Sequence, residues 1–243
     1  MRTLFSIFIW IYWTLCIVTF FVIVSLLYLF TFPFDRFNQI PNRTLKGLAK
    51  SMLMVNPGWD FIVEGAEADK VTKPTIVIAN HQSFLDLPLF YLLPWSMKWV
   101  AKKSLFKIPI LGWIIFMTGQ IAIERYSLKS LKKLDYLVQP IQNGIPGMIF
   151  PEGTRTEDGN LKAFKNGAFL MAKRYNFNLL PIVHNGGYEA MPSGSWRIDP
   201  RQTFRISVLD PIDPQEFENT EEIKETAYLK IERELERLRK EKS

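Results

Sequence analysis

Polar and apolar positions divide this chain into an uncharged leader and a longer region of short alternating apolar runs. Residues 4–32 contain no charged side chain. Folded as one helix, these 29 residues would be about 44 Å long, which exceeds the roughly 30 Å hydrocarbon core of a bilayer. Trp10 and Tyr28 lie towards the two ends, where interfacial aromatic residues are common. The leader is therefore predicted to be a membrane helix.

Two arrangements of the leader are open: a tilted helix that spans the bilayer, or a half-submerged hairpin with a break near Thr14 or Ser25. A cleaved signal peptide is disfavoured because the apolar stretch is too long and no small-residue cleavage site follows it. Basic residues are more numerous just after the leader than before it, where Arg2 stands alone. This bias places the rest of the chain on the cytoplasmic side of the cell membrane.

Residues 42–55 show the spacing of an amphipathic helix. Its polar face carries Arg43, Lys46 and Lys50. Its apolar face comprises Leu45, Leu48, Met52 and Val55. Two interpretations are open: a helix that lies on the lipid headgroups, or a helix packed on the folded domain.

From Gly58 onward, short β-branched and aromatic runs alternate with helical patterns. The runs predicted to be strands are DFIVEG, TIVIAN, MKWVAK, GQIAIER, GMIFPEG, LLPIVHN and TFRISVLD. This alternation predicts an α/β fold, with a single mixed-sheet domain that has helices on both faces. Residues 1–57 are assigned to membrane-anchoring helices, and residues 58–243 to one cytoplasm-facing domain.

Two helices of this domain are predicted from their apolar stripes. Residues 127–142 form the first, with a stripe made of Leu128, Leu131, Leu134, Leu137, Val138 and Ile141. Residues 220–242 form the second, a closing surface helix whose apolar face comprises Ile223, Ala227, Ile231, Leu235 and Leu238.

Composition narrows the classes of function. The 243 residues carry a formal net charge of +6, which suits an anionic membrane surface or a phosphorylated substrate. The sequence has no dense basic stripe and no nucleic-acid-binding motif, so nucleic acid is not an expected partner. Cys16 is the single cysteine, so no intramolecular disulfide can form, and a reducing compartment is permitted.

The segment NHQSFLD, residues 80–86, follows the predicted strand TIVIA and carries the central chemical signal. A neutral His81 can accept a proton from a hydroxyl, and a carboxylate on its other nitrogen would fix the tautomer and stabilise the imidazolium. Asp86 can supply that carboxylate, which gives the base and its orienting group without the serine of a catalytic triad. Ser83 and Asp86 also fit a helix capping box, and the two interpretations are compatible.

Two further clusters contain cations after predicted strands, where sites on α/β sheets form. Lys102 and Lys103 follow the run MKWVA, although a pair of solvated lysines is the common alternative. Arg125 ends the run GQIAIER and is weak evidence by itself.

The segment FPEGTRT, residues 150–156, is more specific. Pro151 and Gly153 predict a tight turn that holds Glu152 and Arg155 close together. An arginine on a rigid turn suits bidentate binding of a phosphate. The alternative is an ion pair within the loop.

The order NHQSFLD, GQIAIER, FPEGTRT and LLPIVHNG resembles the four sequence blocks of the glycerolipid acyltransferases. The match is closest to the bacterial-type 1-acyl-glycerol-3-phosphate acyltransferases and covers roughly residues 58–210. The spacing His-x4-Asp and the string FPEGTR are specific in combination, and the other two blocks are softer. Ala122 departs from the pattern, because the family often has an aromatic residue there, and this bears on the shape of the pocket.

The resemblance implies an enzyme that transfers a fatty acyl group from an acyl thioester to the free sn-2 hydroxyl of 1-acyl-glycerol-3-phosphate. The product is phosphatidic acid, for phospholipid biosynthesis. His81 would deprotonate the hydroxyl, which attacks the thioester directly, and Asp86 would orient His81. Lys102 would be a further phosphate or oxyanion partner, and His184 is expected to be structural. The glycerol-phosphate site would comprise Arg125, Glu152, Gly153 and Arg155.

The implied partners are lysophosphatidic acid, the lipid bilayer and a thioester donor, either acyl-CoA or acyl-carrier protein. No metal or other cofactor is expected, because the sequence has no His-Glu-x-x-His, cysteine cluster or P-loop. An acyltransferase that acts on another lysophospholipid or on glycerol-3-phosphate is the alternative. A serine lipase or thioesterase is disfavoured by the lack of a Gly-x-Ser-x-Gly motif. A non-catalytic lipid-binding protein is disfavoured by the intact His81–Asp86 pair and the string FPEGTR.

Overall fold

A seven-stranded mixed sheet forms the centre of the structure, a computed structural model that describes residues 2–124 and 133–241. The strands are β1 (Trp59–Glu64), β2 (Thr75–Ala79), β3 (Lys98–Lys102), β4 (Ile121–Ile123), β5 (Gly147–Ile149), β6 (Asn178–Asn185) and β7 (Gln202–Val208). Each of the seven predicted runs overlaps one of these strands, and β1, β6 and β7 begin one residue before their runs. The mixed-sheet prediction is therefore confirmed.

The strand order is β1-β7-β6-β2-β5-β3-β4. β6 and β7 pair antiparallel, and the other neighbours pair parallel. β2, β3, β4, β5 and β6 therefore all run in one direction. Their carboxyl ends meet at one edge of the sheet, where α/β proteins form their sites.

Eight α-helices surround the sheet in the described part of the chain. They are α1 (Arg2–Thr31), α2 (Gln39–Met54), α3 (Asp86–Phe90), α4 (Leu111–Met117), α5 (Val138–Gln142), α6 (Gly167–Tyr175), α7 (Gly187–Ala190) and α8 (Thr220–Lys240). Short 3₁₀ helices occupy Ala68–Val71, Lys103–Lys107, Asp135–Leu137 and Pro214–Glu216.

The central strand β2 shows why both faces of the sheet are covered. Its side chains alternate, as strand geometry requires, and all five residues are buried. Val77 and Ala79 pack into a core with α1, α2, α3 and α4. Ile76 and Ile78 pack into a second core with α5, α6 and α8. The predicted placement of helices on both faces is therefore confirmed.

The leader is one continuous helix, and α1 runs through the proposed break points at Thr14 and Ser25. It is long and apolar enough to cross a membrane, and only 17% of its most apolar window is buried. Its buried side packs along the domain. The indole N–H groups of Trp10 and Trp13 donate to the carbonyl oxygens of Trp196 and Met52, both at 2.8 Å.

The amphipathic helix α2 packs on the domain, which decides between its two interpretations. Its apolar side chains lie in the same core as β2. The buried residues of α2 are Pro41, Asn42, Leu45, Leu48, Ala49, Met52 and Leu53. The predicted division at residue 57 lies between α2 and β1 and stays a prediction. Residues of α1 and α2 share one core with the sheet.

The two predicted stripes have different outcomes. All five apolar residues predicted for the closing helix are buried in α8. In the segment 127–142, Leu128 and Leu131 lie outside the described residues. In the described remainder, Leu134 directly precedes a 3₁₀ turn that is followed by α5, and the stripe residues Leu134, Leu137, Val138 and Ile141 are buried.

Candidate active site

The NHQSFLD segment brings its histidine and aspartate into direct contact at the carboxyl end of β2. His81 lies in the loop after the strand, and Asp86 is the first residue of α3. Nδ1 of His81 is 2.6 Å from Oδ2 of Asp86. A carboxylate at this distance fixes the proton on Nδ1 and leaves Nε2 as the nitrogen that can accept a proton.

Asp86 is fully buried, and the turn before α3 supplies its other hydrogen bonds. Oδ2 also accepts from the backbone N–H of Gln82 at 2.7 Å, and Oδ1 accepts from that of Ser83 at 2.9 Å. Burial acts against ionisation, but attraction to His184 and then to His81 outweighs it and holds the pKa of Asp86 below its usual value. Asp86 is therefore present as a carboxylate at neutral pH.

Only half of the predicted capping box is present. The carboxylate of Asp86 accepts from the backbone of Ser83, as the box requires. The hydroxyl oxygen of Ser83 accepts from the backbone N–H of Leu85 at 3.3 Å and not from that of Asp86, and the hydroxyl donates to the carbonyl oxygen of Met191 at 2.7 Å. This bond ties the NHQSFLD turn to the segment that follows α7.

The FPEGTRT loop, at the carboxyl end of β5, holds His81 from three sides. The ring of Phe150 stacks on the imidazole, with centroids 4.0 Å apart and an interplanar angle of 16°. The backbone N–H of His81 donates to Oε1 of Glu152 at 2.7 Å. The carbonyl oxygen of His81 accepts from the backbone N–H of Thr156 at 2.8 Å. The loop thus fixes both the backbone and the ring of His81.

Glu152 is 3% exposed, and both of its carboxylate oxygens are occupied by backbone donors. Oε2 accepts from the N–H of Lys162 at 2.9 Å. Burial raises the pKa of Glu152 to about 7, although the two backbone hydrogen bonds act in the opposite direction. Gly153 follows at φ +70°, and a Cβ there would lie 2.7 Å from Nζ of Lys165. The two backbone hydrogen bonds account for Glu152, and the positive φ, which side chains rarely adopt, accounts for Gly153.

A cavity of about 340 Å³ opens beside His81, within the ~300–1,000 Å³ range of ligand pockets. Its walls are mostly apolar and come from α1, α2, α3, β3 and α4. Among the apolar residues are Ile17, Leu45, Leu48, Met52, Leu87, Leu105, Leu111, Ile114 and Ile115. The polar lining includes His81, Lys102, Thr154, Arg155 and Ser193. Such a cavity can hold a hydrocarbon chain while cations and a base meet the polar end of the same molecule.

The structure brings some of the predicted site residues together and separates others. His81, Lys102 and Arg155 line the same cavity. Asp86 is buried behind His81, and the described contacts of Glu152 are with the backbone. Arg125 lies outside the described residues. The predicted roles of Lys102, Arg125, Glu152, Gly153 and Arg155 in substrate binding stay predictions.

Three residues that the sequence analysis did not single out support the site. Phe150 and Thr156 hold His81, as described above. The side chain of Asn80 bonds to both the N–H and the carbonyl oxygen of His184, each at 2.9 Å. All three lie inside the quoted motifs. The amide side chain of Asn80, next to His81, is the sequence feature that could indicate a contact with a neighbouring strand.

Comparison with known proteins agrees with this geometry. Residues 60–185 match the family described as Acyltransferase. The chain belongs to this family. A 1-acyl-sn-glycerol-3-phosphate acyltransferase of Helicobacter pylori is 30% identical to this acyltransferase over 183 residues, which are 70% of this chain and 76% of that protein.

Other relatives are similar over a smaller share of their length. A 1-acyl-sn-glycerol-3-phosphate acyltransferase of Chlamydomonas reinhardtii is 42% identical over 123 residues, 50% of this acyltransferase and 37% of that protein. The match to the chloroplastic LPAT1 of Arabidopsis thaliana covers 46% of that protein, at 33% identity over 66% of this chain. The chain thus spans less than half the length of these two relatives.

The fold has a close counterpart among solved structures. The crystal structure of the 1-acyl-sn-glycerophosphate (LPA) acyltransferase PlsC from Thermotoga maritima matches with a TM-score of 0.82 and 25% sequence identity. The match covers 98% of both chains, so it includes the N-terminal helices as well as the sheet.

We predict that Glu152→Gln lowers kcat about 10- to 100-fold, the cost of a small misplacement of a reacting group. Glutamine keeps one acceptor oxygen but presents an NH₂ group to one of the two backbone donors, so the backbone of His81 shifts. KM for the acceptor should stay within about twofold of wild type, since Glu152 has its described bonds with the backbone. Steady-state kinetics and a melting curve measure both effects.

Glu157→Gln is the matched control, because Glu157 lies on the same loop but is exposed and pairs with Lys162. It should leave kcat unchanged. A rise in acceptor KM with unchanged kcat in Glu152→Gln would instead favour the predicted substrate contact.

Proposed function

We propose that the protein transfers a fatty acyl group from an acyl thioester to the free sn-2 hydroxyl of 1-acyl-glycerol-3-phosphate and so makes phosphatidic acid. The observation that carries this proposal is the His81–Asp86 pair at the polar end of an apolar cavity. The relatives named above as 1-acyl-sn-glycerol-3-phosphate acyltransferases support the choice of acceptor. Acyl-CoA or acyl-carrier protein is the donor, and the reaction needs no metal or other cofactor.

The proposed reaction proceeds in one addition and one elimination. Nε2 of His81 takes the proton of the acceptor hydroxyl as its oxygen attacks the thioester carbonyl carbon. Asp86 stabilises the imidazolium that forms. The carbon–sulfur bond then breaks, and the thiolate leaves with the proton held by His81. No acyl-enzyme intermediate is formed.

Charge in the cavity favours a phosphorylated acceptor. Arg155 and Lys102 line the cavity beside His81, and an arginine can bind a phosphate through two parallel hydrogen bonds. Glycerol-3-phosphate and other lysophospholipids also carry a phosphate, so they belong in the test as competing acceptors.

The first test is thiol release from acyl-CoA by the purified full-length protein with a panel of lysolipids. Lysophosphatidic acid should give the highest kcat/KM. We expect His81→Ala to lower kcat about 100- to 10,000-fold, the range associated with loss of a general base. Asp86→Asn should also be severe, because it favours the wrong tautomer of His81.

Two controls accompany this assay. A reaction without acceptor measures thioester hydrolysis, which would dominate in a thioesterase. Melting curves show whether each variant is folded. A folded His81→Ala variant with near wild-type turnover would falsify the mechanism, and a different preferred acceptor would correct the substrate.

The second prediction concerns binding of the acceptor phosphate by Arg155. Arg155→Ala should raise acceptor KM by about 10- to 150-fold, the contribution of a hydrogen bond to a charged group. Arg155→Lys should be milder, because lysine keeps the charge but loses the planar fork. KM for the thioester should change much less, since loss of uniform binding appears in KM for the ligand concerned. We expect the same direction for Arg125→Lys.

Monoacylglycerol, which lacks the phosphate, is the matched substrate, and Arg174→Ala on the exposed end of α6 is the matched variant. The preference for lysophosphatidic acid over monoacylglycerol should fall in Arg155→Ala and persist in Arg174→Ala. If Arg155→Ala lowered kcat and kept this preference, Arg155 would not be the phosphate ligand.

We further propose that α1 lies along one leaflet, with its exposed apolar side in lipid, and that the domain faces the cytoplasm. α1 packs against the domain near both ends, through Trp10 at one end and a ring contact of Tyr28 with Phe116 at the other. Arg2 also pairs with Asp199 at 3.3 Å. A perpendicular crossing would carry these domain residues into the hydrocarbon, where charged groups are costly.

Single cysteines at the two ends of α1 test this arrangement. In a Cys16→Ser background, Thr3→Cys and Phe34→Cys should both react from the cytoplasmic side of sealed vesicles with a membrane-impermeant maleimide. Glu225→Cys on exposed α8 reports the side of the domain. Labelling of the two ends from opposite sides would show that α1 spans the bilayer.

A further inference from the structure

The second of the two histidines in the chain lies directly behind the proposed base. His184 is on β6 and is fully buried. Its Nε2 is 3.3 Å from Oδ1 of Asp86, on the other side of the carboxylate from His81. Neither ring nitrogen of His184 has an aligned hydrogen-bond partner among the described residues. Buried polar groups are usually bonded, so this ring calls for an explanation.

The NHQSFLD segment itself fixes the backbone of His184. The side chain of Asn80 accepts from the N–H of His184 and donates to its carbonyl oxygen, each at 2.9 Å. Asn80 immediately precedes His81. One turn therefore carries the proposed base and clamps the second histidine on the neighbouring strand.

Small size at Gly187 allows the ring of His184 to approach Asp86. A Cβ at this position would lie 3.0 Å from Cε1 of His184 and 3.1 Å from Oδ1 of Asp86. The backbone N–H of Gly187 meanwhile donates to Oε1 of Gln82 at 3.2 Å. Phe90 closes the pocket with an edge-to-face contact to His184, with centroids 5.2 Å apart.

We propose that His184 is a positioning residue for the His81–Asp86 pair, with a proton on its Nε2 facing Oδ1 of Asp86 across 3.3 Å. Two acceptors facing each other at 3.3 Å would repel, so the proton belongs on Nε2. A donor on Oδ1 keeps the carboxylate plane in line with His81. It also shares the negative charge of Asp86 between two imidazoles, so that His81 can return its proton to the leaving thiolate.

This inference rests on the proposed function for its catalytic meaning, but its geometry is independent of it. His184 does not line the cavity and cannot touch substrate. The other charged groups around the pair are Glu152 on the backbone side of His81, and Lys102 and Arg155 on the cavity side. None of these is altered in the variants below.

Kinetics of His184→Leu and His184→Gln test the proposal. Leucine removes the polar atoms, whereas the amide nitrogen of glutamine can take the place of Nε2. In His184→Leu, kcat should fall about 3- to 10-fold, within the range of one hydrogen bond, with both KM values within about twofold of wild type. The acid limb of the kcat/KM profile should move to higher pH, because Asp86 then attracts the His81 proton more strongly. His184→Gln should restore both properties.

Val183→Ala is the matched control, because Val183 is the preceding residue of β6 and is buried in the opposite core. It should lower the melting temperature and leave the pH profile in place. An unchanged kcat and pH profile in His184→Leu would overturn the proposal. So would a His184→Gln variant as impaired as His184→Leu, which would indicate a packing role.

Nitrogen-15 NMR of histidine-labelled wild-type protein gives a readout that needs neither turnover nor a stable variant. With only two histidines, His81→Gln assigns both sets of signals. We expect the His184 ring to carry a proton on Nε2. A neutral ring with its proton on Nδ1 alone would overturn the proposal. Absence of thiol release from wild-type protein would instead refute the proposed function and leave this result standing.

Discussion

The buried carboxylate of Asp86 is the constraint on which the rest of the site depends. A charge without water is tolerated only when donors surround it, and here the backbone N–H groups of Gln82 and Ser83 and the ring of His81 do so. To aim two successive backbone N–H groups at one carboxylate, the chain must turn sharply before α3. The spacing of five positions between His81 and Asp86 is therefore the length of that turn, and it explains why the pair is not built on one helix face.

The turn is held in place by its neighbour across the sheet. β2 and β5 are parallel and adjacent, so the loops that follow them emerge side by side. Glu152 and Thr156 bond to opposite sides of the His81 backbone, and Phe150 stacks on its ring. The two motifs therefore form one interlocked unit. The apolar helices complete it, because the cavity wall that faces His81 is made partly of α1 and α2.

The local sequence pattern predicts the strands and helices well, but it predicts poorly which surfaces these elements contact. The strands and the buried face of α8 follow from periodicity, which depends only on which side of an element is apolar. Periodicity does not show whether lipid or protein covers that side. It therefore leaves two interpretations of α2 open, and only the packing of α2 on the domain decides between them. The position of Trp10 near one end of the leader predicts an interfacial residue, and it gives no sign that the indole N–H bonds to the domain. His81 and Asp86 could be paired because they are close in sequence. No local signal showed that His184, on a strand far along the chain, meets the same carboxylate.

The buried polar groups around Asp86 serve the proposed function of the site but reduce the stability of the protein. Asp86 is charged and buried, Glu152 is buried with a pKa raised to about 7, and both ring nitrogens of His184 lack aligned partners within the described residues. Each of these groups costs free energy that apolar residues of similar volume would not. The strands next to these groups are β2 and β6. All of β2 and most of β6 are buried, and this burial offsets the free-energy cost. Apolar replacements for these groups would therefore make the protein more stable. The protein would then lose the fixed orientation of His81 towards the cavity.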